Sequence, residues 1–508
     1  MNTRWPDTGA TPGAALLLVV VLAGAAVAGM MTALVGSMAG ARAVYYAAVF
    51  GLIVVGALVA VTRREPVRFI FLALIVGLPV TSIEVPPGRL EITVFDAVMT
   101  LLAIGVVWGR VAGAQPARGP IFPTGSLMLA WLLAVPCVVF SQFPVVSLKM
   151  FVLTFALYAF CLLVLDELKR EGGFERLVGL LSVVLIVMAV GCFVERLLHV
   201  NLSLRGVNLN QLSYAESGFE IYRAGGFFQD PQKAAAYIAA MIAFLLVLSV
   251  RGRFRGTKLA PLAWIAIALG LAALMTTVSR AAILACLCLS AVALFVFNKW
   301  SAAVKLLVGA GAVAAAVAMA LTPVETWMSI FPTSVAERFR YAQEEFLYRT
   351  TIWLDTWHMF ADHPLTGIGF GSFREYLKLT QPTVFNYYGL GEAAGVSYIP
   401  DNPESGYFKI LYEGGIIGSL AILIIVFDAL RRGLAIIAGR NATPNARTEV
   451  LAAGVALLVS GLTFVTLFTI ADQRVAALVA FFFALIWHHS LSSKRQAPWN
   501  DPNRWNRR

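Results

Sequence analysis

Apolar residues in this chain come in long runs, and the length of those runs limits the fold more than any motif does. "AALLLVVVLAGAAVAGMMTALV" at 14–35 and "AILIIVF" at 421–427 are two examples. A run of roughly 20 apolar residues can satisfy its backbone inside a bilayer only as a helix, unless a closed barrel forms. Of the 508 residues, 59% are hydrophobic and 13% charged, whereas soluble domains carry about 25% charged residues. The chain therefore reads as an all-α polytopic membrane protein, and a large soluble core is excluded.

Hydropathy gives about fourteen transmembrane helices. Their approximate cores are Ala14–Val35, Val44–Val61, Phe69–Val80, Val94–Val107, Leu127–Phe140, Phe151–Leu165 and Leu177–Val194. Then follow Ala234–Val250, Leu262–Met275, Ala281–Phe297, Ala302–Leu321, Tyr407–Phe427, Val450–Phe468 and Val475–Trp487. The first run is too long for a signal-peptide core and is kept as a span. Alternate linkers are basic: "TRREPVR", "DELKREGGFER", "RGRFRGTK", "RRGLAIIAGR" and "SSKRQ". The positive-inside rule makes their side cytoplasmic, with both termini inside. The formal charge of +11 then reflects topology and contact with anionic membrane lipids, and no nucleic-acid partner is expected.

This count divides the chain into four parts. Residues 1–321 form an N-terminal bundle of about eleven spans that includes an outer loop at 195–233. Residues 322–406 form a large extracytoplasmic loop, 407–489 the C-terminal transmembrane helices and 490–508 a cytoplasmic tail. Long loops of this kind are usually functional when ordered. The segment "ERFRYAQEEFLYRTTIWLDTWHMFADHP" reads as one or two amphipathic helices on the outer surface, ended by His363-Pro364.

Few charges fall mid-span, where ion-coupled transporters need them. Asp96, Glu195, Arg280, Lys409 and Arg474 sit near outer ends, Asp166 and Asp428 near inner ends. Arg280 opens the helix "RAAILACLCL" in a tight outer turn. It either snorkels at the interface or grips an anion bidentately. In "YRAGGFFQDPQKAAAY" Arg223 precedes a glycine pair and Lys233 enters the first turn of the next helix. This is a second anion-site candidate, with glycines that would let a ligand close to the backbone, or an ordinary loop-to-helix turn. "GIGFGSF" at 367–373 follows no strand and reads as a tight turn, not a nucleotide loop. His358 and His363 lack a third ligand at metal spacing, and the five cysteines show neither metal spacing nor a disulfide framework. Tyr387, Tyr388 and Tyr398 are either sugar-stacking or loop-packing residues. Pro403 biases Asn402 out of the helical region. Asn402 or Asp401 then caps the next helix, and Glu404 enters its first turn.

Together these segments resemble the O-antigen ligase and O-antigen polymerase superfamily, bacterial inner-membrane glycosyltransferases of GT-C type. The resemblance runs from Arg223 to Gly418 and includes the span count. The family has Arg, then Gly, Phe and Pro-Asn; here these are Arg223, Gly226, Phe228 and Pro231-Gln232. Its Ser-Arg-Gly appears as Ser279-Arg280-Ala281, and its "DHPLxGxGxGxF" segment ends the stretch Trp357–Phe373. Its last motif is His, then Asn, Ser or Gln, then two spaced glycines. Gly415 and Gly418 fit the glycines, Ser405 the second position, and Glu404 stands where ligases carry His.

The resemblance implies a GT-C-like fold and a glycan donor on undecaprenyl diphosphate at the outer leaflet. The acceptor is a hydroxyl of a second lipid-linked repeat unit in a polymerase, or of lipid A core in a ligase. Arg280 and Arg223, helped by Lys233, would hold the diphosphate. Glu404 would take the acceptor proton, with Asp401 as the rival base, and no metal or other cofactor is then called for. Because a carboxylate replaces the ligase His, the polymerase branch is preferred, with a chain-length regulator as a further partner. A lipid-linked glycan flippase is the alternative of another class.

Overall fold

The computed structural model describes residues 82–85, 90–93, 124–199, 202, 211–214, 219–228, 230–297, 349–350, 352–354, 356–380, 403–439, 442–465 and 472–496. The described part is mostly helical. In chain order it holds strands β1 (Ser82–Val85) and β2 (Leu90–Thr93), then helices α1 (Gly125–Val139), α2 (Pro144–Leu168) and α3 (Gly173–Leu198). Strands β3 (Gln211–Tyr214) and β4 (Phe219–Tyr222) precede α4 (Pro231–Val250), α5 (Leu259–Thr276) and α6 (Arg280–Phe297). Two short helices, α7 (His358–Asp362) and α8 (Phe373–Thr380), lead to α9 (Gly406–Ala438), α10 (Pro444–Thr463) and α11 (Gln473–Gln496). The strands form two separate antiparallel hairpins, β1 with β2 and β3 with β4.

Seven of these helices, α2, α3, α4, α5, α9, α10 and α11, are long and apolar enough to cross a membrane. Helix α1 and the apolar part of α6 are shorter. The chain is thus a polytopic helical membrane protein. The expected spans at 14–35, 44–61, 69–80, 94–107 and 302–321 lie outside the described residues, as does most of the loop at 322–406.

Helix starts follow local chemistry. Thr124 caps α1 by accepting the Leu127 N–H, Asp230 caps α4 through Gln232, and Thr443 caps α10 through Ala446. Pro144, Pro231 and Pro444 open α2, α4 and α10, where the missing N–H costs nothing. Helix α4 is the central post: nearly every residue from Ala234 to Leu248 is buried. Its alanines let α3, α5, α6 and α10 come close, as small residues do between membrane helices. Phe244 packs edge-on to Phe481 and tilted on Phe482 of α11.

Helix α9 starts where its span is expected but runs past the expected end. "RRGLAIIA" continues the helix to Ala438 and is not a linker. Arg432 folds back onto Asp428 (2.7 Å) and reaches Ser490 of α11 (2.9 Å), so its charge is neutralised without leaving the helix. At the other end Glu404 is not in the first turn. Ser405 is the N-cap, and Glu404 precedes it with φ 54°. Two outside contacts hold the chain there: the Trp353 indole donates to Pro403 O (2.8 Å) and Arg349 to Glu404 O (3.3 Å).

Helix α9 also bends at Gly415 (φ 58°, ψ −157°). Tyr407 reaches Gly461 O of α10, and Gly433 lies against Val450. Those pairs are about 26 residues apart on α9 and about 11 on α10, or roughly 39 Å against roughly 17 Å along straight helices. The first turns of α9 must therefore lean across the end of the bundle.

Candidate active site

One end of the bundle collects the charged residues singled out above. The C-terminal ends of α3 and α5 meet there with the starts of α4, α6, α9 and α11.

The Arg223 turn and the Arg280 turn are bonded to each other. Ala224 N donates to Thr276 O (3.1 Å), and Arg223 Nε donates to Thr277 O (3.1 Å), three residues before Arg280. Arg223 is buried, and Arg280 is half-buried at the first position of α6. Val278 between them holds φ 52°, a conformation costly for a β-branched residue. Strain of this kind concentrates at functional sites.

Helix α11 grips the same turn from the other side. Arg474 donates to Phe227 O (3.0 Å) and lies over the Phe228 ring, 3.7 Å from its centroid. Asp472, just before α11, takes Arg474 Nε (2.7 Å) and its own helix's Arg474 N–H (3.0 Å). Burial pushes the Asp472 carboxyl up, but Arg474 and Lys233 outweigh it and hold it below the usual range. Lys233 thus belongs to this cluster, from the first turn of α4.

The glycines of "RAGGF" serve packing more than close approach of a ligand. A Cβ on Gly225 would lie 2.5 Å from Phe228 O, and one on Gly226 (φ 58°) 3.1 Å from Cys192 Sγ.

The Glu404 side is built from two interlocked segments. Its carboxylate pairs with Arg349 (3.5 Å), both side chains being mostly buried. Gly406 N donates to Phe464 O (2.8 Å), which seats the start of α9 on the end of α10. "DHPLTGIGFGSF" then fills the break at Gly415. Tyr412 O and Glu413 O accept from Ile368 and Gly369, while Ile416 and Ile417 donate to Pro364 O and Leu365 O. These four bonds to the turn stand in for helix bonds that the break interrupts. The Glu413 carboxylate takes Gly371 N (2.8 Å) and Phe373 N (3.1 Å) and pairs with Lys409 (3.6 Å). A Cβ on Gly367 would fall 2.4 Å from Glu413 C, and one on Gly369 1.8 Å from Ser141 Oγ. "GIGFG" is therefore a close-packed turn, wedged between α9 and the α1–α2 connection.

The structure brings Arg223, Arg280 and Lys233 into one region and puts Glu404 at the same end of the bundle. Asp401, Tyr387, Tyr388 and Tyr398 lie outside the described residues. Sequence reasoning missed Arg349, Glu413 and Asp472. Arg349 was hidden inside an amphipathic pattern. Glu413 carries one readable signal, a carboxylate before a Gly-Gly pair in an apolar helix, and Asp472 stands in a short polar break between two apolar runs.

The family model described as O-antigen ligase matches residues 265–423, and no curated protein matches the chain. The matched region contains the Arg280 turn, Arg349, the glycine turn, Glu404 and the break at Gly415, and it leaves out the Arg223 turn. Seven apolar helices and this match agree on the same type of protein: over residues 265–423 this membrane-spanning chain is similar to the O-antigen ligase family.

Proposed function

We propose that the chain is a polysaccharide polymerase of the outer face of the inner membrane, with both termini cytoplasmic. It transfers a glycan from undecaprenyl diphosphate to a hydroxyl of another lipid-linked repeat unit. The observation that carries this reading is the bonding of the Arg223 turn to the Arg280 turn through Ala224–Thr276 and Arg223–Thr277. It makes a fixed cationic corner from two loops, at the end where Glu404 also lies. The basic residues Arg176, Arg253, Arg431 and Arg432 gather at the opposite end, which supports an outward-facing site.

In the reaction the acceptor hydroxyl attacks the anomeric carbon of the donor glycan. The bond from that carbon to the phosphate oxygen breaks, and undecaprenyl diphosphate departs with the electron pair. Arg280 and Arg223 orient the diphosphate and stabilise the charge that grows on it, with Lys233 adding to the field. Glu404 takes the hydroxyl proton. Arg349 keeps that carboxylate aimed before the acceptor arrives. Tyr387, Tyr388 and Tyr398 offer stacking surface for sugars, and Asp401 is the alternative base.

The test is turnover by the purified full chain of a defined undecaprenyl-diphosphate-linked repeat unit. Lengthening of the lipid-linked glycan supports the polymerase reading. Transfer only when lipid A core is supplied would replace it with the ligase reading, which the family description favours. Repeat units trapped on the cytoplasmic leaflet of a deletion strain would point to a flippase instead.

A further inference from the structure

Helix α3 ends in two charged residues, Glu195 and Arg196, that take no direct part in the chemistry above. Both grip the main chain on either side of Arg223. The Glu195 side chain is fully buried, and its Oε2 accepts the N–H groups of both Gly225 (2.6 Å) and Gly226. Its Oε1 takes Leu202 N (3.4 Å). Arg196 donates to Tyr222 O. The turn sits in a saddle on α3, where Gly191 makes room for the Phe227 ring: a Cβ there would lie 2.6 Å from it. Cys192 meets Gly226 one turn before Glu195.

A buried carboxylate that receives two adjacent N–H groups fixes the direction of the peptide plane between them, because charged acceptors make the stronger bonds. Arg223 is two residues upstream. Its own peptide group and guanidinium are set against Thr276 and Thr277.

We propose that Glu195 is the positioning residue of the Arg223 turn, aiming Arg223 at the diphosphate through Gly225 and Gly226. This rests on the reading of Arg223 as a diphosphate-binding residue. Glu195 itself touches no substrate.

The test is binding of undecaprenyl diphosphate to the purified full chain, measured for Glu195→Ala, Glu195→Gln, Arg223→Ala and the double variant Glu195→Ala/Arg223→Ala. Misplacing a binding group by about 1 Å can cost about 100-fold, so Glu195→Ala is expected to weaken binding by about tenfold or more. Glu195→Gln keeps an oxygen for the two N–H groups and restores binding to within about threefold of the parent. The double variant binds no worse than Arg223→Ala alone, because Glu195 acts only through Arg223. In turnover, the KM for the donor rises in Glu195→Ala and the KM for the acceptor does not.

Unchanged binding in Glu195→Ala, with loss in Arg223→Ala, overturns the proposal and leaves the site reading intact. A double variant whose losses multiply also overturns it. Unchanged binding in Arg223→Ala overturns the site reading itself. If Glu195→Ala does not accumulate as folded protein, Glu195→Gln decides: binding as weak as in Arg223→Ala would sink the proposal.

Discussion

At one end of the bundle, charged side chains bond to one another. Arg253, between α4 and α5, joins Glu175 of α3 (2.8 Å) and Glu449 of α10 (2.7 Å), and His489 of α11 meets the same Glu449 (2.8 Å). Arg432 closes on Asp428, and Arg176 on Glu167. At the other end charged side chains also pair, as Glu404 does with Arg349 and Asp472 with Arg474, but several reach for the main chain of turns: Glu195 for Gly225 and Gly226, Glu413 for Gly371 and Phe373, Arg474 for Phe227, Arg223 for Thr277. The first arrangement, Arg432–Asp428 within α9 apart, staples helices together. The second shapes loops, and a shaped loop can present a cation or a carboxylate to a ligand. Charge at the stapled end should matter for stability, and charge at the loop end for chemistry.

That contrast can be broken at either end. The largest expected effect is Arg280→Ala, which should abolish long glycan chains while folded protein still accumulates. Electrophoresis of surface glycan beside an immunoblot of the membrane fraction checks it, and normal chain length would remove Arg280 from the site. Glu404→Ala should follow, with turnover down by about 100-fold or more, the usual worth of a general base. If its steady-state rate is unchanged, Asp401 becomes the base to test.

Next, Gly415→Ala should damage folding more than chemistry. It forces a Cβ to within 2.5 Å of Leu365 O at φ 58°, a destabilisation of roughly 3 kcal/mol or more. A thermal midpoint within a degree of the parent would show that the bend can relax. Arg253→Ala leaves Glu449, which is buried, without its guanidinium. It should cost up to about 3 kcal/mol with turnover per folded molecule unchanged, a pattern that lost turnover at full stability would reverse.

The smallest effect concerns acid. Asp472 has its pKa held below the usual carboxylate range, so its contribution to stability is complete above about pH 4 and is lost as pH falls through the depressed value. Asp472→Asn should flatten the acid limb of the stability curve. Parallel curves for parent and variant would show that Arg474 and Lys233 do not act on this carboxylate.

Much of this architecture was readable in advance because bilayer chemistry leaves so few choices. Runs such as 234–250 and 262–275 could only be helices, and Pro231 and Pro444 mark where helices begin. The extension of α9 to Ala438 was not readable, because "RR" looks like a linker until Asp428 and Ser490 are known to lie beside it. The position of Glu404 outside the helix depended on Arg349 and Trp353, residues 55 and 51 places earlier. The glycine turns were visible as glycines. What they pack against, Cys192 for one and Glu413 for the other, is a tertiary fact that local spacing does not encode.

The break at Gly415 also divides α9 into two pieces that need not open together. The carbonyls of Tyr412 and Glu413 are held by Ile368 and Gly369, not by the next turn of their own helix. Residues 406–414 and the 363–373 turn therefore form one cooperative unit, while 416–438 belongs with α1, α10 and α11. Amide exchange should show one shared opening rate for Ile368, Gly369, Gly371 and Phe373, whose N–H groups bond to Tyr412 and Glu413. The residues next to Glu404 could then loosen as a patch and close again while the membrane-crossing part of the same helix stays intact.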